Sequence, residues 1–292
     1  MFDVKDKVFV FTGATGTLGS IQAESLLAAG AKVALLGRNQ DLLNTQKKQF
    51  ESYVDNIEIF QVNVLNKTAL ENIAQDILNR FGTVDGLINA VGGNLPGATI
   101  ADDKTIFDLT EKDFDLVLSL NLKGTILPST VFGKIMSKNG TGTIVNYSSM
   151  AVDRAITRVV GYSAAKAAME NFTRWMAVEM ALKFGDGIRV NAIAPGFFIA
   201  KQNQRLLTNE DGTLTPRGQK IINNTPMGRF GRPEELNGAI HFLCSDSASF
   251  ITGIVLPIDG GFNAFSGVSV SYTHLRAHET VLDLVCRLLL EK

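Results

Sequence analysis

Cysteine and histidine are scarce in this chain of 292 residues, and neither sign of charge is in excess. The two cysteines, Cys244 and Cys286, are too few and too far apart for a disulfide framework, which favours a reducing cytoplasmic setting. A net charge of −1 provides no field that would attract nucleic acid or an anionic membrane. His274 and His278 are four residues apart but lack the intervening carboxylate of a zinc-binding helix, so no metal site is expected.

Long apolar runs are also lacking. No stretch approaches the roughly 20 apolar residues that cross a bilayer, and the first residues do not have the basic-then-apolar order of a signal peptide. The remaining composition, 45% hydrophobic and 20% charged residues, is sufficient for a large buried core. These features predict a cytoplasmic, globular protein without nucleic-acid or membrane partners.

Short apolar runs alternate with helical patterns along most of the chain. Strands that alternate with helices predict a parallel, doubly wound α/β sheet, here of about seven strands. Residues 110–138 have the pattern of one long helix. Residues 197–232 are instead polar and irregular, as in a connection that serves as an active-site lid.

The first apolar run ends in a glycine-containing turn, Gly13-Ala-Thr15-Gly16-Thr-Leu18-Gly19, and a helical pattern follows it. Glycines permit a tight turn and a close approach of the backbone to a ligand. The N-terminus of the following helix favours negative charge. A strand, a glycine turn and a helix in this order therefore predict a site for the pyrophosphate of a dinucleotide.

The end of the second apolar run, Gly37-Arg38-Asn39, bears on which dinucleotide binds. An acidic side chain at this point binds the ribose 2′-hydroxyl of NAD, whereas a nearby arginine accommodates the 2′-phosphate of NADP. Gly37 stands where the acid would be, and Arg38 follows it. The sequence therefore favours NADP over NAD, although a solvated surface arginine is the alternative interpretation of Arg38.

Tyr162 and Lys166 lie four residues apart in a segment with a helical pattern. Residues with this spacing share one helical face, so the ammonium can lie near the phenol. A fixed cation favours the phenolate and is expected to lower the tyrosine pKa, which would suit Tyr162 to general acid–base catalysis. The spacing also arises by chance, so its meaning depends on the surrounding residues.

Those surroundings resemble the short-chain dehydrogenase/reductase family over residues 5–267. Ser149 stands thirteen residues before Tyr162, and Asn121 lies upstream. The resemblance implies that Tyr162 exchanges a proton with the substrate and that Ser149 holds the substrate oxygen. It implies further that Lys166 orients the nicotinamide ribose and that Asn121 supports a proton-relay water. The expected fold is a single Rossmann-type domain, and the expected activity is hydride transfer between a nicotinamide cofactor and a secondary alcohol/ketone pair.

The resemblance also assigns the contacts to the cofactor. Two positions depart from the family pattern: Thr17 replaces the middle glycine of the turn, and Asn63 replaces the aspartate that contacts adenine. The expected cofactor-binding residues are Gly13, Thr15, Gly16, Leu18, Gly19, Arg38, Asn39, Asn63, Val64, Asn89, Ala90, Tyr162, Lys166, Pro195 and Gly196.

Two segments, one beginning at Gly92 and one at Pro195, resemble a branch of the family, the D-mannonate oxidoreductases (fructuronate reductases). The resemblance implies that a keto sugar acid, D-fructuronate, is reduced to D-mannonate. Such a substrate needs a cation for its carboxylate and short polar groups for its hydroxyls. The expected substrate residues are the cations Arg158 and Arg205 and the amides Asn94 and Gln202. A neutral sugar, a polyol or another ketone, and a dinucleotide-binding protein without catalysis, are the alternatives.

The last residues do not fit this pattern, because family members end soon after a strand like the one that precedes Asp259-Gly-Gly. We therefore expect a domain at residues 1–267 and a non-native tail at residues 268–292. Relatives are commonly tetramers, so a homo-oligomer, either tetramer or dimer, is expected. The helix that contains Tyr162 is expected to contribute to both the core and the subunit interface.

Overall fold

A parallel sheet runs through the part of the chain that the structure, a computed structural model, describes: residues 2–199 and 204–268. Its strands are β1 (Val8–Thr12), β2 (Lys32–Gly37), β3 (Ile57–Gln61), β4 (Gly86–Asn89), β5 (Gly142–Tyr147), β6 (Ile188–Pro195) and β7 (Val255–Ile258). The seven strands of this described part lie in the order β3-β2-β1-β4-β5-β6-β7. The predicted doubly wound parallel sheet is therefore confirmed, with the order reversing between β1 and β4.

Helices connect the strands and cover the sheet. They are α1 (Thr17–Ala28), α2 (Gln40–Gln49), α3 (Lys67–Phe81), α4 (Glu111–Leu118), α5 (Gly124–Asn139), α6 (Val160–Phe184), α7 (Gln204–Leu207), α8 (Pro216–Asn223) and α9 (Asn237–Cys244). Because successive strand side chains point to opposite faces, the sheet contributes to two apolar layers. In β1, Phe9 and Phe11 belong to one buried cluster with α1 and α9, whereas Val8 and Val10 belong to the other with α3, α5 and α6. Burial on both faces explains why the strands read as continuous apolar runs.

The long helix predicted at residues 110–138 is present, but it contains a wider turn. A π-helical stretch, Ser119–Lys123, joins α4 to α5 and contains Asn121. Such turns inside α-helices are frequent at functional sites. The combined helix, Glu111–Asn139, is long and apolar enough to cross a membrane, yet half of its most apolar window is buried inside the protein. It is a core helix.

The connection at residues 197–232 is more ordered than predicted, because it contains α7 and α8. Thr215 caps α8, its hydroxyl accepting a hydrogen bond from the Gly218 backbone N–H at 3.1 Å. Pro216 occupies the first helical position, where the missing N–H has no consequence. The Thr-Pro pair was therefore an available sequence signal for this helix start. Gln202 and nearly all of the predicted tail lie outside the described residues.

Candidate active site

A cleft of about 430 Å³ opens at the carboxyl ends of the central strands, beside the point where the strand order reverses. This is the usual position of ligand sites in doubly wound sheets. Many of the residues predicted from the sequence line it, and they come from separate parts of the chain. Those lining residues are Gly13, Thr15, Gly16, Leu18, Gly19, Arg38, Asn63, Val64, Ala90, Ser149, Tyr162, Lys166, Pro195 and Gly196.

The glycine turn after β1 forms one wall of the cleft, and its packing requires glycine. A Cβ on Gly13 would lie 2.6 Å from the Ala90 carbonyl carbon, and Gly13 has a φ of +73°. A Cβ on Gly19 would lie 2.6 Å from the Gly13 carbonyl oxygen. Gly16 is the N-cap of α1, so the first backbone N–H groups of that helix face the cleft end of the turn. This cradle fits the pyrophosphate of a dinucleotide.

Arg38 and Asn39 follow β2, but only Arg38 lines the cleft. The Asn39 side chain instead caps α2, with its Oδ1 accepting from the Leu42 backbone N–H at 3.1 Å. The Arg38 carbonyl accepts a hydrogen bond from Gln61 Nε2 at 3.1 Å, which ties this turn to β3. Arg38 is thus a charged residue in the lining at this end of the cleft.

Asn89, predicted to bind the cofactor, lies beneath the cleft and not in its lining. Its side chain is buried, and Nδ2 donates to Ser129 Oγ and to Asn146 Oδ1, each at 2.9 Å. Asn89 Oδ1 has no hydrogen-bond partner within the described residues. The contacts of this side chain join β4 to β5 and α5, which supports the floor of the cleft.

Ser149, Tyr162 and Lys166 meet in the cleft although they come from two elements. Ser149 follows β5, and Tyr162 and Lys166 occupy the first two turns of α6. Lys166 Nζ donates to the Tyr147 carbonyl oxygen at 2.6 Å and lies 5.7 Å from the centre of the Tyr162 ring. A hydroxyl, a phenol and an ammonium are thus arranged on one side of the cleft, as general acid–base chemistry on a carbonyl or alcohol requires.

The predicted lowering of the Tyr162 pKa is wrong for the protein without ligand. Burial raises the pKa of Tyr162, because desolvation disfavours the phenolate, and a hydrogen bond with Ser149 opposes this rise only in part. Burial also lowers the pKa of Lys166 to about 8. The ammonium is directed to the Tyr147 carbonyl, so it does not stabilise the phenolate as the spacing alone had indicated.

Asn121 is fully buried in the π-helical turn and organises the loop after β4. Its Oδ1 accepts from the Gly93 N–H at 2.9 Å, and its Nδ2 donates to the Gly93 carbonyl at 2.8 Å and to the Val117 carbonyl at 2.9 Å. A Cβ on Gly92 would lie 2.6 Å from Asn121 Oδ1 and 3.0 Å from Lys166 Nζ. Asn121 therefore fixes the loop that contains Gly92 and Gly93 beside Lys166. The two glycines line the cleft, whereas Asn121 itself does not.

The structure does not bring the described substrate candidates together. Arg158 Nε donates to the Ile100 carbonyl at 2.8 Å, and its guanidinium lies 3.5 Å from the Asp102 carboxylate. This arginine is absent from the lining of the cleft. Arg205, also outside the lining of the cleft, lies exposed on α7, and no hydrogen bond or ion pair engages its side chain within the described residues.

Asn94 lies on the loop after β4, close to the cleft but outside its lining. Its Nδ2 donates to Thr99 Oγ1, which fixes the orientation of the amide. Its Oδ1 is buried and has no hydrogen-bond partner within the described residues. One acceptor of this side chain is therefore unpaired and closed to solvent.

Several lining residues were missed by the sequence reasoning, although each is within two positions of a predicted one. Ser148 precedes Ser149, and Tyr147 supplies the carbonyl that receives Lys166. Phe197 and Phe198 follow Pro195-Gly196 and separate the cleft from a second cavity of about 400 Å³. Their position next to a predicted motif was the available sequence signal. That position does not show which residues beside the motif face the cleft.

A glycine cradle at the reversal of the strand order, together with a tyrosine and a lysine in the same cleft, defines the class as a dinucleotide-dependent oxidoreductase. Comparison with known proteins supports this assignment to the dinucleotide-dependent oxidoreductases. A family model described as enoyl-(acyl carrier protein) reductase matches residues 13–263. The chain belongs to the short-chain dehydrogenase/reductase family: it is an oxidoreductase that uses a nicotinamide cofactor and acts on a small molecule.

Individual relatives cover nearly the whole domain. The uncharacterized oxidoreductase UxuB of Bacillus subtilis (strain 168) is 45% identical over 271 residues, covering 90% of this chain and 96% of the relative. The NAD-dependent glycerol dehydrogenase of Listeria innocua is 34% identical over 261 residues, covering 89% and 95% respectively. Among solved structures, a "putative D-Mannonate oxidoreductase" from Haemophilus influenza with bound NAD is 41% identical, with a TM-score of 0.84 and coverage of 91% and 98%.

Proposed function

We propose that this protein transfers hydride between a nicotinamide cofactor and a keto sugar acid in the cytoplasm, with D-fructuronate as the ketone and D-mannonate as the alcohol. The observation that carries the proposal is its 41% identity to the Haemophilus influenza protein described as a putative D-mannonate oxidoreductase. The cleft with Ser149, Tyr162 and Lys166 supports the reaction type.

In this proposal the chain supplies proton transfer and orientation. Ser149 holds the substrate oxygen by a hydrogen bond, and Tyr162 exchanges a proton with that oxygen. When a ketone is reduced, Tyr162 donates its phenol proton to the ketone oxygen. Burial raises the pKa of Tyr162, so in the protein without ligand the phenol is protonated but is a weaker acid than a phenol in water. Lys166 orients the ribose of the cofactor, and Asn121 maintains the loop beside the lysine. The nicotinamide, when bound, supplies or accepts the hydride.

The substrate carboxylate requires a cation, and we assign it to Arg205. Its side chain is exposed on α7 and unengaged within the described residues. Arg158 remains the second candidate, but it would first have to release the Ile100 carbonyl and Asp102. Asn94, whose buried Oδ1 lacks a partner among the described residues, and Gln202 would accept or donate hydrogen bonds to the sugar hydroxyls.

For the cofactor we propose NADP, because Arg38 lines the cleft at the position where a 2′-phosphate would lie and no acid stands there. A specific observation favours NAD as the alternative: the Haemophilus influenza relative was crystallised with bound NAD, and the Listeria innocua relative is described as NAD-dependent. Steady-state kinetics with both reduced cofactors decide between them.

The test is a substrate panel monitored by the absorbance of the reduced nicotinamide. D-fructuronate should be reduced well and the matching neutral ketose poorly, because only the acid offers a carboxylate to Arg205. Comparable kcat/KM for the two would exclude carboxylate recognition and favour a neutral sugar, a polyol or another ketone. Cofactor binding without turnover of any ketone or alcohol in the panel would instead indicate a non-catalytic dinucleotide-binding protein.

We also propose a homo-oligomer, dimer or tetramer. The side chains of Trp175, Val178 and Leu182 on α6 are 61%, 59% and 78% exposed and follow one face of the helix. Light scattering of the full chain should give a mass of two or four chains, and a monomeric mass would contradict the proposal. The division into a domain at 1–267 and a non-native tail at 268–292 remains a prediction, which the genomic locus tests.

A further inference from the structure

The distance between Ser149 and Tyr162 depends on how one helix sits along one strand. Ser149 lies just beyond β5, and Tyr162 lies in the first turn of α6. The loop of residues 150–159 joins them, and none of its residues lines the cleft. Hydrogen bonds from α6 to the residues at the end of β5 also bear on the relative position of the two hydroxyls.

A buried carboxylate makes one of those contacts. Glu170 is one turn beyond Lys166 on α6, and its side chain is only 3% exposed. Its Oε1 accepts a hydrogen bond from Ser148 Oγ at 2.6 Å. Its Oε2 lies 3.1 Å from the guanidinium of Arg174, whose side chain is 54% exposed. The carboxylate thus connects the surface of α6 to the residue immediately before Ser149.

The two residues before Ser149 are each held by a hydrogen bond. The Tyr147 carbonyl receives Lys166 Nζ at 2.6 Å. The Ser148 backbone N–H donates to the Ile193 carbonyl on β6 at 2.7 Å, so its position relative to the sheet is fixed by the backbone. With Ser148 fixed to the sheet, its hydroxyl ties Glu170, and with it this turn of α6, to the end of β5.

Stability alone does not account for a glutamate at this place. Removing a carboxylate from water is expensive, and apolar residues of similar volume often replace buried ion pairs without loss of stability. The neighbouring contact between α6 and β5 uses neutral groups only, with Asn146 Nδ2 donating to Thr173 Oγ1 at 2.8 Å. What the carboxylate adds is a short, charge-assisted hydrogen bond with a defined geometry.

We propose that Glu170 is a positioning residue for the reaction: through Ser148 it fixes α6 along β5 and so holds Tyr162 at the correct distance from Ser149. The inference rests on the proposed roles of these two hydroxyls. A displacement of about 1 Å between reacting groups can reduce the rate about 10²-fold. Loss of the Ser148–Glu170 bond should therefore reduce kcat strongly while leaving the cofactor cradle intact.

The experiment compares Glu170→Leu, Glu170→Gln and Ser148→Ala in the full-length protein. Glu170→Leu and Ser148→Ala should each lower kcat about 10–100-fold, with cofactor Kd unchanged within about threefold. Glu170→Gln keeps an acceptor for the Ser148 hydroxyl but removes the charge that strengthens the bond, so its kcat should lie between those of the wild type and Glu170→Leu. The double variant, Ser148→Ala with Glu170→Leu, should be no slower than Glu170→Leu alone, because both changes remove the same bond.

Thr173→Val is the matched control, since it removes the Asn146 contact from the same helix and strand further from Tyr162. It should lower Tm without lowering kcat. Equal loss of kcat in Thr173→Val, or a kcat within twofold of wild type in Ser148→Ala, would overturn the proposal even if Glu170→Leu does not fold. The ratio of variant to wild-type kcat is measured on whichever substrate the enzyme turns over. An incorrect substrate assignment therefore would not be mistaken for an incorrect role of Glu170.

Discussion

Gly92 offers a sharp test of the loop that packs against Lys166. In Gly92→Ala the new Cβ would lie 2.6 Å from Asn121 Oδ1 and 3.0 Å from Lys166 Nζ. Asn121 cannot yield freely, because it is buried and makes three hydrogen bonds to backbone groups. The loop or the lysine must therefore move.

The size of the effect follows from those contacts. Loss of the two bonds between Asn121 and Gly93 costs about 1–3 kcal/mol at about 0.5–1.5 kcal/mol each. An alanine at the φ of +159° that Gly92 adopts adds about 1–3 kcal/mol of backbone strain. We expect Gly92→Ala to lose about 2–6 kcal/mol of unfolding free energy and, through the displaced Lys166, about 10–100-fold in kcat.

Gly93→Ala separates the two causes. Gly93 also has a positive φ, but its added Cβ would meet nothing within 4 Å. Gly93→Ala should show the backbone strain without the clash, about 1–3 kcal/mol. Urea unfolding gives the stabilities, and steady-state kinetics with saturating cofactor gives kcat. If the two alanine variants match in stability and in kcat, the contact among Gly92, Asn121 and Lys166 does not have the role inferred for it.

Three further predictions concern the cleft. Tyr162→Phe should lower kcat about 10²–10⁴-fold with cofactor affinity nearly unchanged, and a loss below tenfold in steady-state assays would remove Tyr162 as proton donor. Arg38→Ala should weaken NADPH binding about 10–150-fold and NADH binding little, by fluorescence titration; equal losses would make Arg38 a bystander. Burial lowers the Lys166 pKa from 10.5 to about 8. Between these values the unfolded chain binds more protons, so the contribution of this residue to the unfolding free energy rises with pH. Lys166→Met should flatten that rise in urea unfolding at a series of pH values, and an unchanged slope would place the lysine in water.

Residue pattern was a reliable guide wherever a single physical requirement decides the outcome. Alternating strands and helices predicted the parallel sheet, and the glycine turn predicted a wall of the cleft. Residue pattern was a poor guide where a side chain can bind either a ligand or a neighbouring part of the chain. The Asn39 side chain caps α2, and the Arg158 side chain binds the Ile100 carbonyl and Asp102. The sequence does not indicate which of these partners a side chain will bind.

Two other misses have different causes. The pKa of Tyr162 depends on how deeply the phenol is buried and on where the lysine points, neither of which follows from a spacing of four residues. The π-helical turn at Ser119–Lys123 keeps the apolar pattern of an ordinary helix, so periodicity cannot reveal it. Both features arise from tertiary packing.

The strand order also has a consequence for synthesis on the ribosome. Every strand after β1 pairs with one that precedes it in the chain, so each new strand meets an edge that has already been made. Among the strands after β1, only β4 of the described sheet does not pair with the strand immediately before it in the chain. It pairs with β1, where Phe9 lies opposite Gly86. Until β4 emerges, the apolar edge of β1 is uncovered, and such edges invite pairing with other chains. Until the segment between β3 and β4 has been translated, this edge of β1 thus stays open to pairing with another chain.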